Sequence, residues 1–314
     1  MPDCVASRWA RPATILVATD LSDLNHLMPF ALEQAAETGA KLILLHVLSV
    51  GVEFEGELPP VPFHEASGAM NIAGQMLQSW CDAAIQCGIQ CDGLVREGHI
   101  SYQIAAAFRQ FHADRVLLGA RNQSKLGRLQ LGSVAEQVLR SVYSPVLTVG
   151  PEAHLPVDAG EERVVLHATT LRETSRPGAV LACQAAEAHK ARLVLLHVLP
   201  PAWEMEGLGL ATGANSEAMR ELQQLANEIR ILGCPAVEPV VAHGNPAIEI
   251  LALSAERKAS QIILGASHQP AFENLTRERT LYRVLAGARC PVLSLHVPQF
   301  AAEEAHTEAA AAHG

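Results

Sequence analysis

Short aliphatic runs alternate along the chain with longer stretches whose apolar residues recur at helical spacing. Thr14–Thr19, Lys41–Val47, Gly93–Arg96, Arg115–Leu118 and Val146–Val149 predict strands. Most are continuous Val, Ile and Leu with little alternation, the pattern of strands buried on both faces of a parallel sheet. The third run is short and partly polar, which predicts an edge position. Residues 25–40 predict a helix closed by Gly39, and Asn71–Cys87, Ser101–Phe111 and Ser133–Val142 predict three more. This alternation specifies a three-layer α/β domain with right-handed crossovers. Such sheets bind ligands beyond the carboxyl ends of their strands, where strand order reverses. Functional residues are therefore expected just after strands.

The pattern occurs twice. KLILLHVLS at 41–49 returns as RLVLLHVLP at 192–200, and ILVATDL at 15–21 as VLHATTL at 165–171, which pairs Asp20 with Thr170. DRVLLGA at 114–120 matches SQIILGA at 260–266, and SPVLTV at 144–149 matches CPVLSL at 290–295. The chain of 314 residues is thus a tandem duplication, in keeping with the ~150 residues expected per domain. Residues 1–150 form the first expected domain and 163–297 the second. The polar, acidic, Pro-containing segment 151–162 is the expected linker, and 298–314 an expected frayed tail.

Composition narrows the function classes. Hydrophobic residues at 49% against 18% charged provide for a true core and exclude a disordered chain. The net charge of −10 argues against a nucleic-acid or anionic-membrane partner. No apolar run approaches the ~18 residues of a membrane span. The first twenty residues lack the pattern of a targeting signal, so a cytoplasmic chain is expected. Seven scattered Cys read as reduced thiols, and the spacings of Cys81, Cys87 and Cys91 are not those of a zinc site. His46 and His197 recur at equivalent strand ends, which predicts a shared packing or hydrogen-bonding role.

The main chemical signal follows the fourth strand. Gly119 ends that strand, and Gly132-Ser133 opens the next helix. A glycine lets a ligand approach the backbone, and a helix N-terminus offers free N–H groups and a positive dipole end. Arg121, Lys125 and Arg128 lie between, with no acid among them, a local reversal of sign in an acidic chain. Together these elements suit phosphate. A surface loop with an N-cap and three solvated cations accounts for the same residues equally well on local physics alone.

The stretch closely resembles the universal stress protein (UspA-like) family, whose ATP-binding members carry Gly, two residues, Gly, nine residues, then Gly-Ser or Gly-Thr. Here the positions are Gly119, Asn122, Gly132 and Ser133, so the spacing is intact and Asn122 replaces one glycine. Asn tolerates a positive φ better than most residues. The resemblance implies two tandem Rossmann-like (adenine nucleotide hydrolase-like) domains, each with a five-stranded, mainly parallel sheet between helices. It implies ATP, with Mg²⁺ as a candidate companion, held by Ala18, Thr19 and Asp20, by the backbone at Val47 facing adenine, and by Gly119, Arg121, Asn122, Gly132, Ser133 and Val134. The implied role is in stress response, with an unidentified protein partner. A nucleotide-free interaction protein and a slow ATPase are the rival readings; for the latter, Asp20 is the nearby acid.

In the second copy Glu278 and Arg279 align with Gly132 and Ser133, and Thr170 with Asp20. A carboxylate where phosphate would sit repels it, so the second domain is expected to be a structural partner without a nucleotide. Members of this family commonly pair through their last strands. The resemblance therefore implies an intramolecular pseudo-dimer through Val146–Val149 and Val292–Leu295.

Overall fold

The computed structural model describes residues 9–49, 63–120, 133–142, 144–155, 162–172, 175–201, 213–234, 236–266 and 274–296. The chain divides into two compact units, with a boundary between Val149 and Gly150.

The first unit runs β1 (Thr14–Thr19), α1 (Leu24–Thr38), β2 (Lys41–Leu48), α2 (Phe63–Gln86), β3 (Cys91–Glu97), α3 (Ile100–Gln110), β4 (Arg115–Gly119), α4 (Ser133–Ser141) and β5 (Val146–Val149). Its strands are parallel in the order β3-β2-β1-β4-β5. The partly polar third run is the edge strand β3, two residues longer at its start than its pattern predicts. Helix α2 likewise begins at Phe63 rather than Asn71. The eight residues before Asn71 carry no clean apolar stripe in the sequence, so periodicity misses them.

The second unit repeats the plan with β6 (Val164–Ala168), α5 (Arg176–Ala188), β7 (Arg192–Leu199), α6 (Ala214–Ile231), β8 (Val237–His243), α7 (Pro246–Glu256), β9 (Gln261–Ala266), α8 (Asn274–Gly287) and β10 (Val292–His296). Its parallel order is β8-β7-β6-β9-β10. Register is preserved: Thr14 pairs with Lys41 as Val164 pairs with Arg192, and Ile15 with Arg115 as Val165 with Gln261.

The backbone reproduces the duplication down to its unusual dihedrals. Positive φ occurs at Leu21 and Leu171 (71° and 59°), at Gly39 and Lys190, at Gly88 and Gly233, at Gly98 and Gly244, and at His112 and Lys258 (48° and 50°). A bulky leucine rarely adopts the left-handed region, so keeping it twice marks a turn that the flanking structure imposes. Both leucines donate their N–H to the Thr two residues earlier, Leu21 to Thr19 Oγ1 at 2.9 Å and Leu171 to Thr169 Oγ1 at 3.2 Å.

Each core is aliphatic. Ile15, Leu16, Val17, Leu42, Leu44 and Leu117 are wholly buried in the first unit, and Val165, Leu166, Leu193, Leu195, Ile262 and Val292 in the second. At the start of β1, Asp114 Oδ2 accepts the N–H groups of Ala13 and Thr14 at 2.8 and 3.1 Å, which anchors β1 against β4. Beside it Arg115 is 1% exposed and donates to Gln34. Burial pulls its guanidinium down to about 10, still protonated at neutral pH. The expected linker is in part built into the second unit: Ala153 is buried, and His154 donates its N–H to the Arg289 carbonyl at 3.1 Å. Residues 156–161 and the expected tail lie outside the described residues.

Candidate functional site

In the first unit β1 is flanked by β2 on one side and β4 on the other, so chain order reverses between β1 and β4. The carboxyl ends of these two strands are where a ligand crevice opens in this class of sheet. Thr19 and Asp20 stand at one lip and Gly119 at the other. The residues predicted from the sequence thus straddle the switch point.

Ala18 pairs in register with Leu45 on one side and Leu118 on the other, and is nearly buried. The Thr19 hydroxyl donates to Asp23 Oδ1 at 2.5 Å and accepts from Leu21 N–H. The exposed Asp20 folds its carboxylate back over the turn: Oδ1 accepts the Ser22 N–H at 2.9 Å, the Ser22 hydroxyl at 2.6 Å and the Asp23 N–H at 3.1 Å. This Asx-type closure leads the chain from β1 into α1. Val47, 8% exposed, lies near the end of β2, one residue past the last β1 pairing, and pairs with Arg96.

Gly119 is half-buried and pairs with Val149. A Cβ placed on it would come 2.9 Å from Asp23 Oδ2 and 3.7 Å from the Leu27 side chain. Asp23 was not among the residues read as functional. It closes the β1 turn through Thr19 and its second oxygen faces the bare backbone of Gly119. The available signal was its place at the N-cap of α1, a position that favours Asp for local reasons and so reveals no tertiary contact.

Arg121, Asn122 and Gly132, with Lys125 and Arg128, lie outside the described residues. Ser133 is the first residue of α4, as predicted, and Val134, half-buried, is the second.

The two histidines at the strand ends make the same bond. His46 Nδ1 lies 3.0 Å from the Thr19 carbonyl oxygen, and His197 Nδ1 2.9 Å from that of Thr169. Each N–H donates across from the second strand of its unit to the end of the first, which fixes the lip of the crevice.

The second unit departs from the first here. Thr170 stands where Asp20 does, and its hydroxyl hydrogen-bonds the Ser175 hydroxyl at 2.6 Å. Helix α8 begins at Asn274, so Glu278 and Arg279, aligned with Gly132 and Ser133, sit inside it and not at its N-terminus. The backbone N–H groups of Glu278 and Arg279 are therefore enclosed within α8.

The sequence pattern of the universal stress protein family matches this chain twice, over residues 13–150 and 162–296. A universal stress protein of Methanocaldococcus jannaschii is 27% identical over 143 residues, which is 43% of this chain and 80% of that protein. One from Thermus aquaticus is 26% identical over 132 residues, 42% of this chain and 96% of its own. Among solved structures, a universal stress protein from Archaeoglobus fulgidus superposes with a TM-score of 0.72 at 19% identity, covering 91% of this chain and 97% of that one. A functionally unknown protein of Pseudomonas aeruginosa follows the same fold with a TM-score of 0.64 at 16% identity, covering 93% and 95%. With two complete matches in succession, the chain belongs to the universal stress protein family and carries its domain in tandem.

Proposed function

We propose that the first unit binds an adenine nucleotide, with ATP and Mg²⁺ the form to test first, and that the second unit binds none. The observation that carries the reading for the first unit is Gly119 at the β1/β4 switch point beside the Asp20 turn; the second unit keeps the glycine as Gly265 but carries Thr170 in place of Asp20. Ala18, Thr19 and Asp20 would form the nucleoside side, with the Val47 backbone toward the base. Gly119, Arg121, Asn122, Gly132, Ser133 and Val134 would form the phosphate side. The start of α4 at Ser133 supports this, because a helix N-terminus of that kind favours an anion. The start of α8 at Asn274 supports the asymmetry, because it removes the corresponding N–H groups. The chain would then act as a nucleotide-dependent regulator of a protein partner in a cytoplasmic stress response.

The test is calorimetric titration of ATP, with and without Mg²⁺, into the full chain and into Gly132→Glu. The substitution copies Glu278 and introduces charge repulsion. One site per chain, lost in the variant, is the expected result. Unchanged affinity in a folded Gly132→Glu chain would remove the loop from the phosphate site, and two equivalent sites would refute the asymmetry.

A further inference from the structure

We infer that Cys81 and Cys91 form a reversible disulfide that pins α2 to the edge strand β3 when the chain meets a peroxide. The two sulfur atoms lie 3.0 Å apart, with Cys81 1% and Cys91 6% exposed. An S–S bond of about 2.0 Å requires them to close by only about 1 Å. The close approach has a visible cause. Gly93 on β3 has no side chain, and a Cβ there would stand 3.1 Å from Leu77 Cβ and 3.8 Å from Cys81 Sγ. Helix α2 therefore settles deep against β3 and brings Cys81 onto the first residue of the strand.

Packing does not require thiols here. At the equivalent places of the second unit stand Ala226 and Val237, both buried, and the same helix–strand contact forms. The sulfur pair is thus an addition to a contact that apolar residues satisfy. Cys91 S–H donates to Cys81 Sγ, and that bond lowers the Cys81 pKa against the opposing pull of burial. Cys81 is thus the more readily ionised of the pair and the attacking sulfur, and Cys91 the resolving thiol.

The chemistry balances with hydrogen peroxide as the oxidant. Cys81 thiolate attacks one oxygen; an S–O bond forms, the O–O bond breaks, and hydroxide leaves as water after taking the thiol proton. Cys91 then attacks the sulfenic sulfur; an S–S bond forms, the S–O bond breaks, and a second water leaves with the other thiol proton. Two thiols lose two electrons and the peroxide is reduced to two waters. A dithiol reductant returns the pair by exchange. Entry is at Cys91, where β3 is an edge strand and the neighbouring Asp92–Lys41 ion pair is exposed.

The experiment uses the full chain carrying Cys87→Ser, so that the exposed thiol nearby cannot substitute. After stoichiometric hydrogen peroxide, remaining thiols are alkylated and the chain is cut before aspartates. Asp82 follows Cys81 and Asp92 follows Cys91, so the two thiols fall on separate peptides. The expected result is one linked peptide pair, released by dithiothreitol. An upward shift of roughly 5 °C or more in the melting of the first unit should accompany it. Both effects should vanish in Cys81→Ala and Cys91→Val, which copy the second unit and keep the fold. The inference is overturned if both thiols are recovered alkylated once the peroxide-treated chain is unfolded in the alkylating agent, if Cys81 is over-oxidised without linking, or if the link joins Cys183 and Cys234 instead.

Discussion

Replacing His167 by Val should remove most of the acid sensitivity of the second unit. His167 lies on β6 between Leu195 of β7 and Ile263 of β9, and is 1% exposed. Its Nδ1 is 2.9 Å from the Ile263 carbonyl oxygen, so Nδ1–H donates there. Nε2 is buried without a hydrogen-bond partner and lies under Gly178 of α5, where a Cβ would come 3.5 Å from it and 3.0 Å from Cε1. Protonation would add an N–H with no acceptor. Burial accordingly pushes the imidazole down to about 4 from 6.5, although the Ile263 bond pulls the other way. Because the folded value is the lower one, the unfolded chain takes up the proton first. The stabilising difference is complete above the unfolded value and is lost as pH falls from 6.5 toward about 4. The full difference is roughly 3 kcal/mol, of which about 2 kcal/mol is gone by about pH 5. Urea unfolding of the second unit, followed by peptide-resolved mass labelling in the full chain, measures it at neutral pH and near pH 5. The wild-type chain should lose about 2 kcal/mol more than His167→Val between those conditions. Val is the residue the first unit carries at the same place, Val17, so the variant should fold. Equal losses in the two chains, or an NMR titration placing His167 near its ordinary value, would refute the reasoning.

Gly178→Ala should destabilise the second unit by about 1 kcal/mol through the His167 contact, and a double-mutant cycle should show the cost relieved in His167→Val. Asn245 caps α7 by accepting the N–H groups of Ala247 and Ile248 at 3.1 and 3.4 Å, so Asn245→Ala should cost about 1 kcal/mol in urea unfolding. Gly244, at φ 148° and with a Cβ position 2.6 Å from Glu249 Oε1, should cost at least about 1 kcal/mol as Ala, read in the same assay. Gly119→Ala should displace Asp23 and weaken any nucleotide binding by the first unit while leaving its melting temperature within a few degrees, checked by titration and calorimetry together.

Strand positions were legible because burial on both faces writes itself as an unbroken aliphatic run. The duplication was legible because both copies must solve the same packing problem. Strand–helix alternation placed functional residues just after strands, and the family resemblance singled out Thr19, Asp20 and Gly119 among them. Contacts between side-chain tips were not legible. The Asp23–Gly119 approach, the Cys81–Cys91 pair and the pocket of His167 each join residues on different elements, and periodicity assigns a residue to a face without saying which residue meets it. Asp23 shows the difficulty most clearly: its place before α1 suggests a local cap, yet its side chain makes no cap bond and turns instead to Thr19 and Gly119.

The two copies also separate what the fold needs from what a ligand needs. Leu21 and Leu171 keep an unfavourable φ, and His46 and His197 keep one hydrogen bond, although only the first unit carries Asp20. Leu171 and His197 keep these features in a unit where Thr170 has replaced Asp20. Their retention means that the turn after the first strand is held by the sheet itself. The imidazole ties the ends of two neighbouring strands together, and the threonine hydroxyl compensates the strained leucine that follows. A crevice lip of this kind exists before any ligand arrives. What distinguishes the first unit is then Asp20 closing its turn where the second carries Thr170, not the turn itself and not Gly119, whose place Gly265 keeps.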